Sequence, residues 1–215
     1  MTTLIFVRHG QSLANAQEKF AGHSDFDLSP IGRAQAERAA EYIAANYKID
    51  KIYSSDLLRA YNTALPIGKK LGLQVETTKD FREISAGLWE GLTFDEIAQR
   101  FPEEYAVWSK DFSRAECPGG ESASDVYVRV NAAVDKIAAK HPDSTLLIGA
   151  HATVIRACEC RARGYGKDQM GKVAFSHNAS INIFKWQDGT LLPERSNITE
   201  HLGELDTAVP QKINA

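Results

Sequence analysis

The order of elements in this chain predicts an α/β fold of three layers, α/β/α, with a mostly parallel central sheet covered by helices on both faces. Three observations carry that expectation. Short apolar runs alternate with longer stretches of helical periodicity, the pattern of strands joined through helical crossovers. One run, Thr145-Leu146-Leu147-Ile148-Gly149-Ala150, is apolar at nearly every position, as a strand buried on both faces must be. The 215 residues, 43% of them hydrophobic, are enough for one domain, 1–215, with a substantial core.

The chain opens on a strand, 3–7, and continues into a helix over 30–46. Ser29 suits the N-cap of that helix and Pro30 its first position, where the missing N–H is not needed. Ala36, Ala39, Ala40 and Ile43 make its apolar stripe. Lys51-Ile52-Tyr53 reads as a second strand. Ser54 or Ser55 is the natural cap of the next helix, 57–70, with Asp56 placed for its first turn. A short strand near 74–76, helical pieces across 93–112 and a helix at 122–140 lead to the apolar strand 145–150. Helix 152–161 follows, and strands 180–186 and 190–194, joined by Gln187-Asp188-Gly189, form an antiparallel hairpin at the sheet's edge. The polar stretch from about Gly203, containing Pro210, is expected to be loosely held.

Composition excludes several function classes. A formal net charge of -3 leaves no global basic footprint for nucleic acid. The apolar stretch near the start is interrupted by Arg8, too early for a signal peptide or a membrane span, so a cytoplasmic protein is expected. Cys117, Cys158 and Cys160 form no C-x-x-C pair, and helical spacing sends the last two to different faces. They read as small buried hydrophobes in a reducing compartment. Nothing fixes the oligomeric state, which leaves a homodimer open.

Chemistry concentrates at strand ends, where open α/β sheets bind their ligands. The first strand runs straight into Arg8-His9-Gly10: an anion clamp, an imidazole, and a glycine that lets the backbone turn and approach a ligand. Arg59 falls in the first turn of its helix and leans towards the N-terminus, back at the strand ends. His151 follows the apolar strand and repeats the geometry of His9. The segment Phe81-Arg82-Glu83-Ile84-Ser85-Ala86-Gly87-Leu88-Trp89-Glu90-Gly91 is loop-like and places a carboxylate early.

Taken in order, these motifs resemble the histidine phosphatase, or phosphoglycerate-mutase-like, superfamily. The residues that carry the resemblance are Arg8-His9-Gly10 with Asn15, Ser55 to Arg59-Ala60 with Thr63-Ala64, Glu83 before Gly87-Leu88-Trp89-Glu90-Gly91, and Ala150-His151 with Arg156. Leu28-Ser29-Pro30 and Pro118-Gly119-Gly120-Glu121-Ser122 add to it, so that it spans residues 3 to about 195. One departure stands out: the family often has glycine after its second histidine, and here it is Ala152. A methyl there is expected to narrow the pocket while its backbone N–H stays available for phosphate. The resemblance implies a helical cap over the active site at 92–117, no cofactor, and a small phosphorylated metabolite as the partner. Family mutases carry a longer insertion in that place, with added basic residues. No lysine directly follows Gly91-Leu92-Thr93 here, which favours hydrolysis over phosphoryl return.

The chemistry agrees with that expectation. A phosphate ester is an anion that repels nucleophiles, so its site needs positive charge for binding and for the transferring oxygens. Arg8 and Arg59 supply forked donors of fixed charge. They also disfavour a protonated neighbour, leaving His9 neutral and nucleophilic, with a phosphohistidine as the intermediate. His151 is expected to donate to the phosphoryl group as a cation, and Asn15 to add a neutral donor. Glu83 is the general acid by the family pattern, with Glu90 as the alternative. His177 is a candidate substrate contact. Arg156 is expected in a structural ion pair, and His23, His141 and His201 at the surface. The reading is a metal-independent phosphomonoesterase; its alternatives are a cofactor-dependent phosphoglycerate mutase and a non-catalytic phosphate-binding module.

Overall fold

Among the described residues, 1–207 of the computed structural model, six strands form one sheet. They are β1 (Thr2–Arg8), β2 (Lys51–Ser55), β3 (Val75–Thr78), β4 (Thr145–Ala150), β5 (Ile181–Gln187) and β6 (Thr190–Ile198). Their spatial order is β3-β2-β4-β1-β5-β6. The first four run parallel, while β5 and β6 are antiparallel and close one edge as the expected hairpin.

Among the described residues seven α-helices connect the strands: α1 (Leu13–Ala16), α2 (Pro30–Asn46), α3 (Leu58–Leu71), α4 (Phe94–Arg100), α5 (Pro102–Lys110), α6 (Ala123–Lys140) and α7 (Ala152–Ala162). Alternation along each strand divides the core in two. Ile5, Val7, Ile52 and Leu147 pack on Ala39, Ala40 and Ile43 of α2 and on Ala64 and Ile67 of α3. Leu4, Phe6, Leu146 and Ile148 face the other way, towards α6, α7 and the aromatic residues of α4 and α5. The result is the α/β/α arrangement.

Local chemistry explains where the helices start. Ser29 Oγ accepts from Gly32 N at 3.0 Å, capping α2 ahead of Pro30. The start of α3 departs from expectation. Its N-cap is Leu57, which cannot cap, and Asp25 Oδ1 accepts from Leu58 N at 2.7 Å instead. Asp56 is drawn away by Arg82, which donates to both its oxygens at 2.7 and 2.6 Å. The single turn α1, held by a Ser12–Asn15 capping box, is too short to leave a periodic signal.

Several expectations need correction. Arg156 makes no ion pair among the described residues. Its guanidinium lies between the Phe112 and Phe175 rings, 4.3 and 4.2 Å from their centroids, and Nε donates to Met170 O at 2.8 Å. No carboxylate is needed where two π faces and a carbonyl receive the cation. His141 and His201 are half-buried rather than plain surface groups. The first meets Tyr53 Oη at 2.8 Å and the second donates to Ala179 O at 3.1 Å. Past Gly203, the chain forms a 3-10 turn and Gln35 Nε2 donates to Leu205 O and Thr207 Oγ1, so 203–207 is tied to α2. The remainder of the stretch expected to be loose lies outside the described residues.

Candidate active site

β1 and β4 are neighbours in parallel register, with Arg8 opposite Ala150, so the next residues, His9 and His151, leave the sheet side by side. Their ring centroids are 5.2 Å apart. His9 is 4% exposed and His151 not at all. The main chain of His9 is held from both sides: its N–H donates to Ala150 O at 2.9 Å, and its carbonyl accepts from Ala179 N and Asn178 Nδ2 at 3.1 and 3.2 Å. His9 Nδ1 lies 2.7 Å from Gly10 O. A carbonyl only accepts, so Nδ1 carries the proton and Nε2 keeps its lone pair.

The loop after β1 lies directly on the first turn of α2. A Cβ at Gly10 would sit 2.5 Å from Gly32 O, and one at Gly32 only 2.0 Å from Gln11 O, so this close approach demands glycine at both positions. Thr63 Oγ1 then ties the loop to α3, accepting from Gly10 N at 3.0 Å and donating to Arg59 O at 2.7 Å.

Arg59 is fully buried and leans back along α3 as helical side chains do. It donates to Gly22 O at 2.7 Å and to Ser24 O at 3.0 Å. Arg8 donates to Ser176 O. Among the described residues, Nε of each arginine and both ring nitrogens of His151 are buried without a hydrogen-bond partner. Native proteins rarely leave such groups unsatisfied unless a ligand, ion or water meets them. Asn15 Oδ1 accepts from Ser12 N, Ser12 Oγ and Asn178 Nδ2, which fixes the amide with Nδ2 as the donor left to the cavity that Asn15 lines.

The two glutamates separate cleanly. Glu83 lines the cavity, and its oxygens accept from Ile84 N at 2.9 Å and, weakly, from Thr153 N at 3.4 Å, at the start of α7. Glu90 faces away. It accepts from His23 N at 2.8 Å and Ser24 Oγ at 2.7 Å, clamping the turn whose carbonyls hold Arg59.

Comparison with known proteins agrees with this geometry. The profile of the histidine phosphatase superfamily (branch 1) matches residues 4–199. This chain belongs to that superfamily. It is 38% identical over 86% of its length to phosphoglycerate mutase-like protein 4 of Arabidopsis thaliana, covering 80% of that protein. It is 32% identical to phosphoserine phosphatase 1 of Hydrogenobacter thermophilus, with 95% of this chain and 96% of the relative aligned. Among solved structures, a mycobacterial glucosyl-3-phosphoglycerate phosphatase complexed with VO3 superposes with a TM-score of 0.83 at 31% identity, covering 91% of this chain and 98% of that one.

Within this histidine phosphatase scaffold the electrostatics follow from burial. Burial pushes Arg8 and Arg59 down to about 10, opposed chiefly by the Glu83 carboxylate; both stay charged at neutral pH. Burial and then the charges of Arg59 and Arg8 hold His9 well below the ordinary histidine value. His151 corrects the expectation of a cation: burial, then Arg59, His9 and Arg8, hold it neutral too.

The remaining assignments divide. Ala152 lines the cavity together with Arg8, His9, Asn15, Arg59 and Glu83. His177 does not: its N–H donates to Asn197 Oδ1 and its ring pairs with Asp206. The residue reaching inward is its neighbour Asn178. His23, expected at the surface, is half-buried and donates from Nε2 to Glu83 O at 2.9 Å, beneath the site. The cavity, of about 80 Å³, is also lined by Phe94 and Trp108, two aromatics of the segment expected to cap the site, and by Lys19, Phe20, Thr153 and Phe175, which sequence reasoning missed. The missed residues come from separate segments, and none carries a signal of its own.

Proposed function

We propose that this chain is a metal-independent phosphomonoesterase that hydrolyses a small phosphorylated metabolite through a phosphohistidine. The observation that carries the reading is His9 itself: a neutral imidazole with Nδ1 bound to Gly10 O and Nε2 open, in one cavity with two buried arginines. Nε2 attacks phosphorus in line as the P–O bond to the leaving group breaks. Arg8, Arg59, Asn15 Nδ2 and the Ala152 N–H hold the phosphoryl oxygens, and His151 donates to them from one ring nitrogen. Glu83 protonates the departing alkoxide. It then takes a proton from water, whose oxygen attacks phosphorus and returns the electron pair of the N–P bond to His9. Two arginines beside the histidines disfavour a metal cation, which supports the metal-independent reading.

The phosphatases among the relatives and the VO3 complex of the mycobacterial enzyme support hydrolysis. The mutase-like relative favours a second reading, return of the phosphoryl group to an acceptor. Adding 2,3-bisphosphoglycerate separates the two, since a mutase isomerises phosphoglycerate faster than it releases phosphate. A silent binding module would need neither nucleophile nor acid. One domain with 92–117 as a cap is consistent with Phe94 and Trp108 lining the cavity, and three free, buried cysteines favour the reducing cytoplasm. The deciding experiment is a rapid quench with substrate: an acid-labile, base-stable phosphoprotein forms on the wild type and is absent in His9→Ala. Label on any other residue overturns the mechanism.

A further inference from the structure

We propose that the substrate carries a carboxylate beside its phosphoester, read by Lys19 and Trp108; this rests on the phosphatase reading and narrows its substrate class. Lys19 lines the same cavity as His9 and Arg59. It takes part in none of the ion pairs among the described residues. Its backbone is nevertheless fixed, with N–H donating to Ala14 O at 2.9 Å and the residue bridged antiparallel to Thr93. Trp108, on α5, lines the same cavity, is 4% exposed, and its indole N–H is, among the described residues, buried without a partner.

The indole is not adrift. Phe20 and Phe112 hold it edge to face at centroid distances of 4.9 and 4.8 Å, and Phe20 is the residue after Lys19, so one side chain links the ammonium to the indole. A buried N–H left unmet costs about 1–3 kcal/mol. The phosphoryl group already has Arg8, Arg59, His151 and Asn15. A further cation and a further N–H in the same cavity therefore call for a second acceptor on the ligand. Phe20, Phe94 and Phe175 give the same cavity an apolar wall. One added positive charge matches a monoanion, and two donors match a group with two oxygens. A carboxylate fits both counts, whereas a second phosphate dianion would leave charge and oxygens unmet.

Matched substrates test this directly: O-phosphoserine against O-phosphoethanolamine, and 3-phosphoglycerate against glycerol 3-phosphate, with an aryl phosphate as the reporter of the chemical step. The wild type should favour the carboxylate member of at least one pair by roughly tenfold to a hundredfold in kcat/KM, the worth of one hydrogen bond to a charged group. Lys19→Met should bring that ratio close to one. Trp108→Phe, which keeps a ring and deletes the N–H, should lower it severalfold, and Lys19→Arg should keep most of it. A wild-type ratio near one in both pairs, or a ratio unchanged in Lys19→Met, overturns the proposal while leaving the phosphatase reading intact. No phosphate release even from the aryl ester overturns both.

Discussion

Glutamine substitutions at Glu83 and Glu90 should produce opposite kinetic signatures, because one carboxylate lines the cavity, where it is proposed to act as the acid, and the other holds a turn. Glu90 receives two hydrogen bonds, at 2.8 Å from His23 N and 2.7 Å from Ser24 Oγ. Bonds to a charged acceptor are worth about 1.5–3 kcal/mol each when buried, and partial exposure here reduces them, so losing both in Glu90→Ala should cost about 2–3 kcal/mol of stability. The same turn supplies both carbonyls that seat the Arg59 guanidinium. If half of that energy appears as misplacement of Arg59, kcat/KM falls roughly tenfold. The loss should be equal for alkyl and aryl phosphates, since the phosphoryl group that Arg59 is proposed to hold is common to both. Glu90→Gln keeps one acceptor oxygen and should recover part of it. Glu83→Gln instead removes a transferable proton. It should lower turnover of alkyl phosphates by roughly a hundredfold or more, and hardly affect an aryl phosphate, whose phenolate departs unaided. The assay is kcat/KM on an alkyl and aryl pair for each variant, with urea unfolding of the Glu90 series. Selective loss of the alkyl substrate in Glu90→Gln, or equal losses in Glu83→Gln, would refute the assignment.

Four further outcomes are expected. Arg59→Met keeps the side chain's length but deletes its charge, and should lower kcat/KM roughly a hundredfold; a loss below about tenfold places Arg59 outside the reaction. His9 and His151 are held below the ordinary histidine value, so the unfolded chain takes up protons first as the pH drops. Their stability contribution is complete above about pH 6.5 and is lost below it, by up to ~1.4 kcal/mol per pH unit for each histidine. Urea midpoints measured between about pH 7 and 5 should therefore fall less steeply in His9→Asn, His151→Asn than in the wild type; parallel slopes would contradict the buried neutral pair. Gly32→Ala, whose Cβ would lie 2.0 Å from Gln11 O, should destabilise the fold by about 2 kcal/mol or more, read as a lowered Tm, and an unchanged Tm would mean that the loop shifts freely. Finally, activity should survive dialysis against EDTA, and a loss restored by a divalent metal would overturn the metal-independent reading.

What was legible in the sequence was the part written at strand ends. Arg8 and His9 interrupt an apolar run where the chain must turn, and His151 does so again, so topology alone brings them together. Arg59 was legible because helix geometry fixes its lean. Between Glu83 and Glu90 only the family pattern favoured the first, since both sit in one loop and the distinction depends on a turn, 22–24, far away in the chain. Helical spacing correctly sent Arg156 away from the site but could not announce Phe112 and Phe175, which receive it from remote segments. His177 missed the site by a single residue, because Asn178 is the side chain directed at His9 O. Lys19 and Trp108 come to one cavity only once α5 has folded across the loop after α1, which no local pattern encodes.

The pairing of β1 with β4 also has a dynamic consequence. Both histidines hang from the two innermost strands, so neither can loosen unless the middle of the sheet opens, an event that costs nearly the whole unfolding free energy. The wall formed by Phe94 and Trp108 belongs to short helices that can open at much lower cost. Amide exchange should accordingly be slowest at Phe6, Val7 and Ile148 and faster along 94–110, so that the chemistry stays rigid while the surface judging the rest of the substrate breathes. A chain organised this way can change what it recognises by altering α4 and α5 alone, without disturbing how it breaks the P–O bond.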